Sequence, residues 1–210
     1  MKTKLLIFLA LAAAMLTFTA ESCFVSTKTI EVPVRGDADL EFHATGTSDS
    51  DTETVDFTGL MEDLEDDSEF DELLSAHIEN GYWRVTRNEG SPSTEIGGSI
   101  TVHREGSAAP AVPLINYTEI DIATVTGDFV VAPLSPAGVS LLNSGFDEYL
   151  DAKADGLPPP SLRYVFTWTS SASPAPVDFY WEGKVKFILV GLTEVDVPEL
   201  RQPRAARLRW

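Results

Sequence analysis

Cysteine is almost missing from this chain: one stands in 210 residues, at position 23, so no disulfide closes within the monomer. Histidine is scarce too. His43, His77 and His103 show neither an H-x-x-x-H nor an H-E-x-x-H relation, which removes the usual zinc spacings. No G-x-S-x-G elbow occurs, and the single thiol sits at the end of an apolar leader, away from any general base, so nucleophilic catalysis has no anchor in the sequence. Bases are few: 15 Lys and Arg stand against 33 Asp and Glu, for a formal charge of −18. Two of the bases lie in the leader (Lys2, Lys4) and four in the last ten residues (Arg201, Arg204, Arg207, Arg209), so the body between is more acidic still. Such a body repels phosphate backbones, and nucleic acid is not an expected partner. Beyond the leader the longest apolar run is VKFILVGL at 185–192, which carries Lys186 and is too short to span a bilayer.

The leader itself is informative. Lys2 and Lys4 precede an apolar run, Leu5 to Ala20, that ends in small residues and turns polar at Glu21, the order of a secretory signal. Two exits fit. A signal peptidase cutting after Ala20 or Ser22 would leave Cys23 as a free thiol near the new terminus. Alternatively, Ala20-Glu21-Ser22-Cys23 resembles a bacterial lipobox, with Glu21 where a small residue is usual. That resemblance covers only the leader. It implies that Cys23 is acylated and that the mature chain is held at a membrane, as an outer-membrane or cell-surface lipoprotein or one facing the periplasm. An odd cysteine at this place is explained by lipidation. The mature domain has the general look of secreted β-sandwich proteins and suggests no named family.

The dominant period in the rest of the chain is two. In TIEVPVR, Ile30, Val32 and Val34 alternate with Glu31, Pro33 and Arg35, and Pro33 places the strand at a sheet edge because proline cannot donate to a ladder. ADLEFHATG puts Leu40, Phe42 and Ala44 inward and His43 on the wet face. Further strands are expected in SAHIENGYWRVTRNEG, with a bulge at Gly81, and in EIGGSITVHRE, INYTEIDIATV and GDFVVAPL. NEGSPST between the first two is read as a hairpin loop. LRYVFTWTS and VDFYWEGKVKFILVGL are expected to finish the fold as an antiparallel hairpin.

Two segments break the alternation. Of the 24 residues from Asp49 to Glu72, 12 are acidic, interleaved with Phe57, Leu60, Met61, Leu64 and Phe70; this predicts one or two short helices, the second capped by Ser68, packing an apolar stripe over one end of a sheet. SPAGVSLLNSGFDEYLDAKADG is the clearest helix, with Ser135 as cap, Pro136 at the first position, and Asn143-Ser144-Gly145 as a place for a kink. Eight or so strands with helices only as inserts predict a mostly-β antiparallel sandwich, Ig-like or jelly-roll-like. The domain boundaries are a signal peptide at 1–22, one sandwich at 23–200 and a basic tail at 201–210.

Candidate sites are weak. Asp49, Asp51 and Glu53 invite calcium, but an EF-hand loop needs glycine at the sixth place and glutamate at the twelfth, where Thr54 and Leu60 stand; a solvated acidic face is the competing reading. Asn116-Tyr117-Thr118 matches a glycosylation sequon, uninformative behind a bacterial leader. The aromatics Tyr82, Trp83, Tyr164, Phe166, Trp168, Phe179, Tyr180 and Trp181 suit either a sugar platform or a core, with Tyr180 and Trp83 the candidates for exposure. No cofactor or metal is called for, and no catalytic residue is named. The expected role is a lipid-anchored envelope protein that binds or builds structure, with a protein or polysaccharide partner; the alternative is a carbohydrate-binding or accessory module for extracellular polymer.

Overall fold

A computed structural model describes residues 25–46, 48–87, 90–174 and 177–198. Eight strands form in chain order: β1 (Val25–Gly46), β2 (Ser48–Asp56), β3 (Glu72–Arg87), β4 (Glu95–Arg104), β5 (Val112–Asp121), β6 (Val130–Ala132), β7 (Arg163–Ser173) and β8 (Val177–Pro198). They make two four-stranded sheets, β1-β8-β3-β6 and β2-β7-β4-β5. Neighbours thus include β1 with β8, β2 with β7, β3 with β6 and β4 with β5: the pairs of one long hairpin, rolled so that alternate pairs fall in opposite sheets. This is the jelly-roll order, and it excludes the Ig-like alternative. It also corrects two expectations. β3 and β4 lie in different sheets, so NEGSPST is part of a crossover and not a hairpin loop. β7 and β8 do not pair either; each contributes its aromatic face to the interior from its own sheet.

The N-terminal end of β1 and the C-terminal end of β8, residues 25–30 and 194–198, belong to a small unit of their own, in which Thr27 Oγ1 donates to Asp196 at 3.5 Å. Ile30, expected inward, is exposed there. The larger unit, Glu31–Thr193, holds the core.

Alternation makes that core. Leu162, Tyr164, Phe166 and Trp168 of the 162–168 segment are fully buried, as are Phe179, Trp181, Phe187 and Leu189 of β8. Phe42 of β1 stacks on Trp168 with ring centroids 5.4 Å apart and 4° between planes, and sits 5.8 Å from Trp181, tying the two sheets together. Pro33 lies in β1, which is an edge strand as expected. The phase shift in β3 is present, but it falls between Ile78 and Asn80, where Asn143 Oδ1 accepts from the Ile78 N–H at 2.8 Å. Gly81 instead clears space for Leu134, whose Cδ2 would lie 2.6 Å from an added Cβ.

Helix α1 (Phe57–Ser68) starts at Asp56, whose carboxylate accepts from the N–H groups of Thr58 and Gly59 at 3.0 and 3.3 Å. Ser68 is its last residue, not the cap of a second helix, because residues 48–56 are strand and Asp56 supplies the capping oxygen at the junction. Its stripe packs as expected: Phe57 and Met61 are fully buried, and Phe57 meets Phe146, Tyr164 and Phe187 edge-on at 5.5, 6.0 and 5.7 Å. Helix α2 (Pro136–Ala154) is capped by Ser135 with Pro136 in its first turn, and it runs unbroken through Asn143-Ser144-Gly145. Gly145 admits the Tyr164 hydroxyl, 2.0 Å from where a Cβ would stand.

Candidate functional site

The sandwich presents two outer faces with different chemistry. On the β1-β8-β3-β6 sheet the outward rows are charged. Asp37 and Asp39 of β1 meet Lys186 and Lys184 of β8 at 3.7 and 2.8 Å, Arg84 of β3 donates to Glu182 at 2.7 Å, and Arg35 reaches Glu79 with two bonds of 2.9 and 3.0 Å. Arg84 and Lys184 also stand over the Phe129 ring, 4.6 and 5.4 Å from its centre, beside a depression of about 310 Å³. Arg35, Arg84, Lys184 and Lys186 thus each have an acid. His43 joins the same lattice: its Nε2 lies 2.9 Å from Asp178, and its ring stacks on Tyr180 at 4.2 Å.

On the β2-β7-β4-β5 sheet the outward rows carry hydroxyls. Pairing aligns Ser48 with Ser171, Ser50 with Thr169 and Thr52 with Thr167. On the other side of β7, Gly97, Ser99 and Thr101 of β4 face Ser171, Thr169 and Thr167, and Ser99 continues to Asn116 of β5. Ser99 and Thr169 share a hydroxyl–hydroxyl bond of 3.0 Å. Strand geometry spaces such groups roughly 4.8 Å across strands and about 6.7 Å along them.

At one end of this face lies a groove of about 440 Å³, lined by Glu95, Gly97, Thr118, Glu119, Ser171 and Ser173 together with the backbone at Ile96 and Ala172. A bulge builds its wall. Between the pairs Ile96–Ile120 and Gly98–Tyr117, β5 holds Thr118 and Glu119 against one residue of β4, and Glu119 sits in the left-handed region at φ 52°. Gly97 forms the floor. An added Cβ would meet Ser171 Oγ at 3.5 Å, ordinary contact, so the lack of a side chain here is not forced by packing. Beneath the groove, Gly98 faces inward and is forced: a Cβ would stand 2.2 Å from Thr169 O and 2.5 Å from the Tyr117 hydroxyl. That hydroxyl accepts from Trp168 Nε1 at 2.8 Å, and burial pushes the phenol up to about 12.

The acids singled out for calcium have another use. Asp49, Asp51 and Glu53 are the inward-phase residues of β2, paired opposite Ser170, Trp168 and Phe166. Asp49 Oδ2 accepts from the Thr45 N–H at 3.0 Å and Glu53 Oε2 from the Glu41 N–H at 2.9 Å, so two of them satisfy backbone donors of the edge strand β1. The backbone bonds from Thr45 and Ser50 hold the Asp49 carboxyl below its usual range. Glu53 moves the other way: partial burial raises it, and the neighbouring Glu41, Asp51 and Asp39 charges add to the rise, against the bond from Glu41 N–H. Among the described residues no group of three or more His, Cys, Asp or Glu side chains is arranged to hold a metal ion.

The other expected residues fall out as follows. Trp83, a candidate for exposure, is buried at 4 %, stacked on Trp181 at 5.9 Å and tilted against Tyr117 at 4.9 Å, because the shift upstream turns it into the interior. Tyr180 is half-buried under His43. The aromatics therefore form the core and not a platform, save Tyr82 and Tyr180. Asn116 is exposed on the hydroxyl face. His77 and His103 lie on β3 and β4, one in each sheet. Cys23 and the arginines at 201, 204, 207 and 209 lie outside the described residues. No described helix is long and apolar enough to cross a membrane. The hydroxyl face and the groove were not anticipated, although S-D-S-D-T-E-T, S-I-T and F-T-W-T-S each show Ser or Thr at alternate positions.

No family model matches the chain, and no curated protein matches it. Among solved structures it is similar to a decameric BFDV capsid protein, with 10% identity, covering 77% of this chain and 99% of that one at a TM-score of 0.37. Desmodium yellow mottle tymovirus gives 10% identity, 84% and 93% coverage and 0.34; turnip yellow mosaic virus gives 10%, 85% and 100%, and 0.29. The strand pairing, independent of these likenesses, defines the sandwich.

Proposed function

We propose that this chain is an exported, lipid-anchored envelope protein whose sandwich binds a partner and carries out no catalysis. The observation that carries the reading is Cys23: the sole cysteine, at the exit of an apolar leader, two positions before β1 begins. A lipid on its sulfur would be followed almost at once by strand. One acyl chain holds a protein to a bilayer only marginally, at about 0.8 kcal/mol per buried methylene, whereas the three of a bacterial lipoprotein anchor it in practice permanently. The binding role is supported by the hydroxyl rows on the outer face of the β2-β7-β4-β5 sheet. Labelled palmitate fed to a bacterial host expressing the full chain is expected to enter the protein, and Cys23→Ala to lose the label and leave the membrane fraction. Equal labelling of the alanine variant ends the anchoring reading.

The second reading, a module for extracellular polymer, is favoured by the same hydroxyl face but no longer by the tryptophans, since Trp83, Trp168 and Trp181 are interior.

A further inference from the structure

We propose that the groove lined by Glu95, Gly97, Thr118, Glu119 and Ser171 is a binding site for a neutral polysaccharide chain, a proposal that rests on the binding role above and gives it a ligand class. Three observations carry it. The lining holds acceptors and donors suited to hydroxyl groups: the carboxylates of Glu95 and Glu119 accept, while Thr118, Ser171 and Ser173 both donate and accept. A carboxylate oxygen takes a hydroxyl proton in a charge-assisted bond, stronger than a neutral one. Next, no cation lines the groove, and neither Glu95 nor Glu119 is paired with one among the described residues. A phosphorylated or uronic polymer would meet two carboxylates and no counter-charge. Finally, Gly97 and Ser171 of the lining are followed along the same two strands by the outward pairs Ser99–Thr169 and Thr101–Thr167, so the positions next to the groove carry the same hydroxyl chemistry.

A cationic peptide or polyamine is the competing ligand. The two exposed carboxylates would draw such a ligand as they repel a polyanion, with both effects weakened by salt. Three of the five polar side chains in the lining, Thr118, Ser171 and Ser173, are hydroxyls that both donate and accept, and this favours a polyol. Gly97 fits the same account: its Cβ would make only ordinary contacts, so the floor is open where packing would allow a side chain. Glu119 is held in a left-handed conformation that non-glycine residues seldom adopt, at the position where its carboxylate joins the wall.

The test is affinity electrophoresis of the detergent-solubilised full chain through native gels containing dextran, laminarin or mannan, with alginate and polylysine gels alongside. Retardation in at least one neutral gel is expected. Gly97→Val should reduce it tenfold or more while melting near the wild-type temperature, since valine suits a strand and a Cβ at this position makes only ordinary contacts; Gly97→Ala, which adds the Cβ alone, should weaken retardation in the same direction. Glu119→Gln, a conservative surface change, should weaken it by a smaller factor, and Asp39→Asn on the opposite sheet should leave it unchanged. Migration unaffected by all three neutral polymers, retardation by polylysine alone, or equal retardation of wild type and Gly97→Val overturns the proposal. Palmitate labelling is read on a different residue, so a failed groove leaves the anchor intact and the reverse.

Discussion

The outer faces of the two sheets are both polar, and they are polar for opposite reasons. On β1-β8-β3-β6 four cations are held in cross-strand ion pairs, Lys184 with Asp39, Lys186 with Asp37, Arg84 with Glu182 and Arg35 with Glu79, so these groups are already committed to one another. On β2-β7-β4-β5 the outward rows carry Ser and Thr, among them the hydrogen-bonded Ser99 and Thr169, with Glu95, Glu119 and Arg163 beside them; a hydroxyl engaged in one bond keeps capacity for another. A face closed on itself is structural, and a face with spare hydrogen-bonding capacity is where recognition is to be sought.

The interior behind both faces should give the largest effects. Trp181 backs the charged sheet and Trp168 the hydroxyl sheet, and both are fully buried. Truncating either to alanine is expected to cost about 3 to 5 kcal/mol, a large share of the roughly 5 to 15 kcal/mol that stabilises a domain. Chemical melts check this. Wild-type stability in both variants would mean the aromatics are a surface after all, and the contrast between the faces would lose its basis.

Tyr117 sharpens the contrast on the hydroxyl side. Its phenol is raised to about 12 by burial, so the native state stays protonated where the unfolded chain ionises near pH 10. Stability from this group is complete below about pH 10 and declines as the pH climbs toward the native value. Tyr117→Phe should reduce the alkaline slope, with the remainder coming from Tyr149 and Tyr164, which burial raises as well. It should also cost about 1 to 3 kcal/mol at neutral pH, since Trp168 Nε1 loses its acceptor.

On the charged side the effects are smaller. Lys184→Gln should change stability by only about 0 to 1 kcal/mol, with the difference shrinking as sodium chloride is added. The wild type should nevertheless melt higher in moderate salt, because acids outnumber bases across the chain and their repulsion is screened. Calcium at matched ionic strength should add nothing further. A large calcium-specific rise would return Asp49, Asp51 and Glu53 to the list of ligands.

The smallest effects divide by sign within one strand. Glu53 is raised in the fold, so its ionisation opposes folding as the pH rises through the usual glutamate range; Glu53→Gln should melt higher than wild type at pH 7, with the gain vanishing below about pH 4. Asp49 is depressed, so its contribution is present above the usual aspartate value and lost as acid protonates it. Asp49→Asn should melt lower at pH 7, with the deficit disappearing in acid.

The alternation that builds the core was legible throughout: Leu40 and Phe42, Tyr164 to Trp168, and Phe179 to Leu189 all fall where period two puts them. Partners were not legible, since the period tells a strand which side is inward but nothing about its neighbour; this is how β7 and β8 came to be read as a hairpin. The Asp49–Asp56 segment misled for a more specific reason. It alternates as a strand should, but with acids in the inward phase and Ser and Thr outward, the reverse of the usual order. The inversion is stable because β2 is an edge, where Asp49 and Glu53 meet the open backbone of β1 instead of the core. The groove was hidden because its wall is a bulge, a register feature that no single segment reveals.

The claim that recognition belongs to the hydroxyl face is tested most directly by following backbone amide resonances while soluble fragments of laminarin, dextran and mannan are titrated into the labelled protein. Shifts clustered at Gly97, Ser99, Thr118, Glu119 and Ser171, with Asp39, Glu182 and Lys184 unmoved, are the predicted result. Shifts confined to the charged sheet, or none with any of the three, would contradict it.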